Sequence, residues 1–392
     1  MLSKEQRLSF QHVVLEGTAY EVGRLQGEMC KQNPDLVKFM TSPLPDAPVP
    51  SKQEVAEIMQ FCDQYCPGLN EEIQGFADSL GVSPDQIVYY SFSFQGYAQP
   101  TGAFPEGRNG QLSGQCSQAV VLPSLSKDGR MYVARSYEWG FQDDFRLVTT
   151  RVRGKAAHIG FSLLLFGRID GFNEHGLVVT MSAGAPMAEV REGGFRFWAV
   201  IRTLLDRCRS VDEALAVLQD TPISFNLNLL LADKTSQAAL VEISCSHRAV
   251  KRIGPESGQQ VLISTNHYNH PDMLPYDVGR MWQSVARQRA LEQALQRGAV
   301  DKEGIRQVLS SPLPTGVCCH YYEDGLGTLW SVIYDVLAGE AEVAFGSPQR
   351  NPWRRFGLNG VSGVSEYPAI FPLEQPADPK AFYRRLAPGA QG

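Results

Sequence analysis

The feature that most limits how this chain can fold is a change of period at Cys116. Upstream, residues 54–65, 69–80 and 83–94 carry apolar side chains at helical spacing, with Ile73, Phe76, Ala77 and Leu80 on one face. Downstream, residues 117–122 (SQAVVL) and 130–136 are β-type runs joined by an Asp128-Gly129 turn, which predicts a hairpin opening at Cys116. Between the two regimes lies residues 99–115, with five Gly and Pro in TGAFPEGRNGQLSGQ, which predicts an exposed, cleavable loop ending at Gln115.

The regions on either side follow the same contrast. A short strand at residues 10–17 precedes a helix around residues 20–31, and four prolines between Thr41 and Lys52 predict a surface connection. After the hairpin, further strands are expected at 147–152, 158–165, 176–181, 227–232, 238–243, 248–253, 261–264, 328–336 and 342–345. Helices are expected at 197–208, 211–219, 278–296 and 302–309, and the Pro-rich tail from Asn351 reads as irregular. Antiparallel meanders with helices inserted in pairs predict an α+β sandwich and exclude a doubly wound parallel sheet.

Composition removes several function classes. With 43% hydrophobic and 20% charged residues the chain is globular, and 36 Lys and Arg against 42 Asp and Glu give a net charge of -6 with no basic block, so nucleic acid is not an expected partner. The longest apolar runs fall short of the roughly 20 residues of a membrane helix. The start, MLSKEQRLSFQHVV, has no apolar core of a secretory signal, so the expected location is cytoplasmic, with free thiols. P-loop, HExxH, GxSxG and CxxC patterns are absent. Cys62 with Cys66, and His267 with His270, are pairs lacking further ligands, so no metal or cofactor is expected. Cys318, Cys319 and His320 are consecutive and read as core thiols beside one buried or hydrogen-bonded histidine.

Cys116 stands apart because it sits where a loop enters a strand. Two groups could take its proton: a distant histidine, as in papain-like enzymes, or its own α-amino group if the chain is cut between Gln115 and Cys116. Papain-like thiols sit at helix N-termini, whereas SQAVVLPSLSKDG is poor helix and good hairpin, which favours the N-terminal nucleophile. An α-amino group with a pKa of about 7.7–8.0 can accept the proton near neutrality.

The chain resembles the N-terminal-nucleophile (Ntn) amidases and acyltransferases of the isopenicillin N acyltransferase type, relatives of choloylglycine hydrolases and acid ceramidase. Gly17-Thr18-Ala19-Tyr20-Glu21-Val22-Gly23 with Gly27 resembles the family's G-x-x-Y-x-x-G-x-x-x-G, and LNEEIQGFADSLGV its E-x-x-G-x-A-x-x-x-G helix. Cys116-Ser117 with Asp128-Gly129 and Arg135-Ser136-Tyr137-Glu138-Trp139 resembles C-[ST]…G…R-N-x-D-W. Gly171-Phe172-Asn173-Glu174-His175-Gly176-Leu177 is similar to G-x-N-x-x-G-L, Leu229 to Asp233 to L-L-A-D, and Thr265-Asn266-His267-Tyr268 to T-N-H-[FY].

The resemblance implies a four-layer α/β/β/α Ntn-hydrolase sandwich of two antiparallel sheets, with residues 1–115 as a helical N-terminal pro-segment and 116–392 as the catalytic domain. It implies a thiol amidase or acyltransferase acting on a linear amide through a thioester on Cys116 after self-cleavage. The substrate would be a small-molecule amide or acyl donor, the two cleavage products would stay associated, and a homo-oligomer is compatible. It assigns Cys116 as nucleophile, Arg135 as the cation beside the thiolate, Glu138 as the carboxylate holding the α-ammonium and Asn266 as oxyanion donor. Tyr137, Trp139, Ser182 and His267 are weaker candidates for the substrate pocket, as are Phe141, Phe145, Phe166 and Trp198. Glu138 replaces the family's usual Asp, Ser182 stands where some members have Asn, and Gln115 precedes the nucleophile where the acyltransferase has Gly. The alternatives are a papain-like hydrolase using Cys116 and His267, and an unprocessed scaffold that only binds acyl ligands.

Overall fold

The computed structural model describes residues 4–41, 51–88, 115–140, 146–162, 166–184, 194–295, 298–387 and 389–390. The expected loop at residues 99–114, Phe141 and Phe145 lie outside the described residues.

Two large sheets face each other. The first has nine strands: β1 (Lys4–Gly17), β4 (Arg146–Val152), β5 (His158–Ser162), β6 (Gly171–Asn173), β7 (Val178–Ala183), β8 (Leu227–Ala232), β9 (Ala238–Ile243), β10 (Arg248–Ile253) and β17 (Gly363–Leu373). Their spatial order is β10-β9-β8-β7-β6-β5-β4-β1-β17, so the stretch from β4 to β10 is one continuous meander. Among the described residues the helix pair α6 (Phe197–Arg207) and α7 (Val211–Asp220) interrupts it between β7 and β8. The second sheet runs β11-β2-β3-β14-β15-β16, with β2 (Gln115–Val121), β3 (Tyr132–Trp139), β11 (Val261–Ser264), β14 (Leu326–Asp335), β15 (Glu340–Phe345) and β16 (Arg354–Phe356). The short β13 (His320–Tyr321) pairs with β14 off this path.

The inner faces meet in one large core that includes Val120, Val133, Tyr137, Phe161, Val179 and Trp330. On the outer face of the second sheet, Ala119, Val121, Tyr132, Ala134 and Ile333 pack against Leu291 and Leu295 of α8 (Trp282–Leu295) and Ile305 and Val308 of α9 (Lys302–Ser310). Helices α6 and α7 lie on the first sheet, as does α1 (Ala19–Cys30), whose Val22 packs with Val13, Leu15, Val148 and Val152. The architecture is the α+β sandwich that the alternating patterns predict, in the four-layer α/β/β/α arrangement that the resemblance implies.

Three details differ from the sequence reading. β1 pairs parallel with β4, Gln11 opposite Arg146, so the first sheet is not wholly antiparallel. The short strand expected at residues 10–17 begins at Lys4 and is a fourteen-residue strand inserted between β4 and β17. The tail is not irregular: β17 runs antiparallel to β1 from Val14↔Gly363 to Lys4↔Leu373. Pro368 and Pro372 obscured it, yet β17 is an edge strand, where a missing N–H on the open side costs nothing.

Candidate active site

The expected hairpin forms: β2 and β3 pair antiparallel with Cys116 opposite Tyr137, Ser117 opposite Ser136 and Gln118 opposite Arg135. Because side chains alternate across a strand, Cys116, Gln118, Arg135 and Tyr137 share the inner face. Gln115, Ser117, Ser136 and Glu138 share the outer one. Gln115, expected to end an exposed loop, is instead 2% exposed and the first residue of β2, because the ladder extends one pair further, to Glu138.

On the inner face Arg135 Nη2 lies 3.4 Å from Cys116 Sγ. Nη1 of the same guanidinium donates to the Met181 carbonyl, and Nε rests 2.7 Å from Asp170 Oδ2, with both side chains fully buried. Burial pushes the Cys116 thiol up to about 11, and Arg135 opposes that rise. Tyr137 stacks on Trp330 at 4.1 Å, and Trp330 on Phe161 at 4.0 Å. The pairing of β14 with β3 slips between Thr328 and Trp330, a bulge of the kind that re-aims a side chain beside a site.

The backbone of Cys116 is held from the other direction. Its N–H donates to Asn266 Oδ1 at 2.8 Å, and its carbonyl accepts from Arg287 Nη1 at 2.7 Å. Asn266 therefore presents its carbonyl to Cys116, while its Nδ2 donates to the Ala183 carbonyl at 3.0 Å. Arg287, on α8, also donates to Ser117 Oγ (2.9 Å), Gln115 Oε1 (3.1 Å), Asn266 Oδ1 (2.9 Å) and Gln283 Oε1 (2.6 Å). Gln283, one turn earlier, donates to Gln115 Oε1 at 2.7 Å. Both side chains of the pair bracketing the expected cleavage point are thus held by buried groups.

Glu138 faces this outer network and not the sulfur. Its Oε1 accepts from Ser136 Oγ and Thr328 Oγ1, and its Oε2 lies 3.7 Å from Arg287 Nη1. Burial pushes its carboxyl up to about 7, with Arg287 opposing. It lies three positions after Arg135, an odd spacing that puts the two on opposite faces of a strand.

The remaining candidates divide. Ser182 belongs to a polar seam between the sheets: its Oγ donates to the Thr265 carbonyl at 2.5 Å and accepts from Asn228 Nδ2 at 3.3 Å. Gln118 bridges the same seam, accepting from Thr180 Oγ1 at 2.6 Å. His267 is 1% exposed, with Nδ1 2.8 Å from Ser284 Oγ and 3.2 Å from Thr265 Oγ1. Burial and the two nearby arginines, Arg280 and Arg287, bring it down to about 3. None of its described hydrogen bonds reaches Cys116. Trp139 is half-buried at the end of β3, whereas Phe166 and Trp198 are core residues. Cys318 and Cys319 are buried, and His320 bonds Ser347 Oγ at 2.7 Å. Among the described residues no group of three or more His, Cys, Asp or Glu is placed to hold a metal, and no helix is long and apolar enough to cross a membrane.

Sequence reasoning missed Asp170, Gln283 and Arg287. A signal for the last two was present: WQSVARQRALEQAL spreads polar and apolar residues around the helix without one apolar stripe, so any face it buries takes some polar residues inside.

The two-sheet sandwich with helices outside holds Cys116 as the second residue of an interior strand of the second sheet. The family model of acyl-coenzyme A:6-aminopenicillanic acid acyl-transferase matches residues 125–350, more than half of the chain, and the chain belongs to that family. Similar solved structures include a Caenorhabditis elegans N-acylethanolamine-hydrolyzing acid amidase ortholog (17% identity, 57% of this chain and 93% of that one, TM-score 0.41). Penicillin V acylase from Agrobacterium tumefaciens is similar at 17% identity (64% and 90%, TM-score 0.43). A variant of conjugated bile acid hydrolase from Clostridium perfringens is similar at 13% (67% and 99%, TM-score 0.44). No curated protein matches.

Proposed function

We propose that this protein is an Ntn-type cysteine amidohydrolase or acyltransferase that cleaves itself between Gln115 and Cys116 and then acts on a linear small-molecule amide through a Cys116 thioester. The observation that carries the reading is that sulfur and nitrogen of one residue are each held by a separate buried group: Arg135 Nη2 at 3.4 Å from Sγ and Asn266 Oδ1 at 2.8 Å from N. A nucleophile that supplies its own base needs both atoms fixed.

In the uncut chain the thiol is protonated at neutral pH, since burial outweighs Arg135. Self-cleavage begins when Sγ attacks the Gln115 carbonyl. The Gln115–Cys116 C–N bond breaks as the thioester forms, leaving a free α-amine. Water then releases the Gln115 carboxylate and restores the thiol. Asn266 Oδ1, which accepts the Cys116 N–H at 2.8 Å, then accepts from the resulting α-amine. In turnover that amine takes the thiol proton and returns it to the leaving amine of the substrate, and water or an acceptor amine resolves the thioester. The seating of His267 on Ser284 and Thr265 supports no papain-like role for it.

The test is a panel of N-acyl amides of different acyl length with acid-quenched peptide mapping. Wild type should carry an acyl mass on the Cys116 peptide. Cys116→Ala should lose turnover without losing its unfolding transition, and His267→Gln should keep turnover within about tenfold, against the 100-fold or more typical of a lost general base. Turnover by Cys116→Ala would sink the proposal.

A further inference from the structure

Asp170 immediately precedes β6 and is fully buried. Three donors and one cation converge on it: Trp330 Nε1 donates to Oδ2 at 3.3 Å, Tyr334 Oη and the Phe161 N–H donate to Oδ1 at 3.0 and 3.3 Å, and Arg135 Nε lies 2.7 Å from Oδ2 as an ion pair. An ionised carboxylate accepts from all three and carries the charge that pairs with the guanidinium, whereas an Asn in its place would lose the charge and turn an NH₂ toward donors. The guanidinium it holds reaches Cys116 Sγ with Nη2. Phe161 and Trp330, two of its donors, belong to the stack that ends on Tyr137, and the Arg135 guanidinium carbon lies 5.3 Å from the Tyr137 ring centre.

Resting on the reading of Cys116 as nucleophile, we propose that Asp170 is a positioning residue: it anchors Arg135 through Nε, so that Nη2 is aimed at Cys116 Sγ, and fixes the aromatic wall beside it. The charges that act on the thiol are Arg135 on its own face of β3 and, across the sheet, Glu138 of β3 and Arg287 of α8. Those facing Arg135 are Cys116, Asp170 and the phenols of Tyr137 and Tyr334. A charge-balancing role and a positioning role predict opposite signs. Were Asp170 only a counter-charge, its removal would leave an uncompensated cation beside the sulfur and make the thiol more acidic. As an anchor, its removal lets the guanidinium swing away and makes the thiol less acidic.

The experiment follows carbamidomethylation of Cys116 by iodoacetamide against pH, quantified on the Cys116 peptide of the full chain. Asp170→Asn should raise the midpoint, giving about tenfold less thiolate at a given pH below it. Tyr334→Phe, which leaves the Arg135–Asp170 contact, should keep the wild-type midpoint. Should Asp170→Asn not fold, Asp170→Glu keeps the charge but displaces the anchor by a methylene, and its midpoint should rise by a smaller factor. An unchanged or lowered midpoint in a folded variant overturns the proposal. The midpoint reads the thiol directly, so it stands or falls apart from turnover, whereas activity in Cys116→Ala would instead remove the nucleophile reading.

Discussion

Asn266 meets Cys116 with its carbonyl oxygen, and that orientation changes what its loss should do. A pure oxyanion donor acts only in the transition state, so its removal would slow turnover by about 100-fold to 1,000-fold and leave stability alone. Here Asn266 Oδ1 accepts from both the Cys116 N–H and Arg287 Nη2, inside a site with Asn266 4% and Arg287 0% exposed. A buried donor left unsatisfied costs about 1–3 kcal/mol. Asn266→Ala should therefore lower the melting temperature and kcat together. A lower kcat at an unchanged melting temperature would return its amide NH₂ to the oxyanion role. The distinction was not legible in the sequence, where Thr265-Asn266-His267-Tyr268 marks the residue but not which end of its amide faces Cys116. Arg135 was legible, because a hairpin entered at Cys116 must bring the second strand back alongside. The opposite-face position of Glu138 was legible too, from its odd spacing to Arg135 alone.

At the scale of elements, the motif glycines are explained by helix packing. A Cβ on Gly23 of α1 would lie 1.8 Å from the Glu72 carbonyl oxygen, and one on Gly75 would lie 2.1 Å from that of Tyr20, so α1 and α4 (Leu69–Leu80) touch backbone to backbone. Glu72 then reaches Arg202 of α6 through Nη2 at 2.8 Å, tying the helix pair to the first sheet. Gly23→Ala must push the helices apart. Overpacking of this kind costs about 1–3 kcal/mol, so the expected result is a melting temperature several degrees lower, read by circular dichroism. A wild-type melting curve would show that the contact yields freely. The other motifs prove to be local braces. Asn173 accepts from the His175 and Leu177 N–H groups and donates to the Leu205 and Cys208 carbonyls, closing the β6–β7 turn on α6. Asp233 caps α7 by accepting the Val211 N–H at 2.8 Å. Hairpin, meander and paired helices were readable because apolar period and turn residues are local. The β1–β4 parallel pair, the β17 edge and the reach of Arg287 were not, since each joins segments more than 100 residues apart.

For the whole molecule, buried histidines and Glu138 pull stability in opposite directions across the same acid range. Burial lowers His12 to about 4 and His267 to about 3, and lowers His158 and His320 as well. Their contribution is full above the unfolded value of 6.5 and is lost as pH falls through the folded values, because only the unfolded chain takes up the protons. Glu138, raised from 4.5 to about 7, contributes stability that is full below 4.5 and lost as pH rises through 7. Burial also raises the carboxyls of Asp170 and Glu242, but the four histidines outnumber the three carboxyls, so the melting temperature should fall as pH drops from 6.5 toward 4, and Glu138→Gln should steepen that fall. A shallower fall in the variant would show that Glu138 is ionised throughout. Self-cleavage is decided at the Gln115–Cys116 bond itself, which intact mass under denaturing conditions after prolonged incubation reads without any substrate. Wild type should give two chains, residues 1–115 and 116–392, and Cys116→Ala one uncut chain. A single species at 43.3 kDa, fully active in wild type, would contradict self-cleavage.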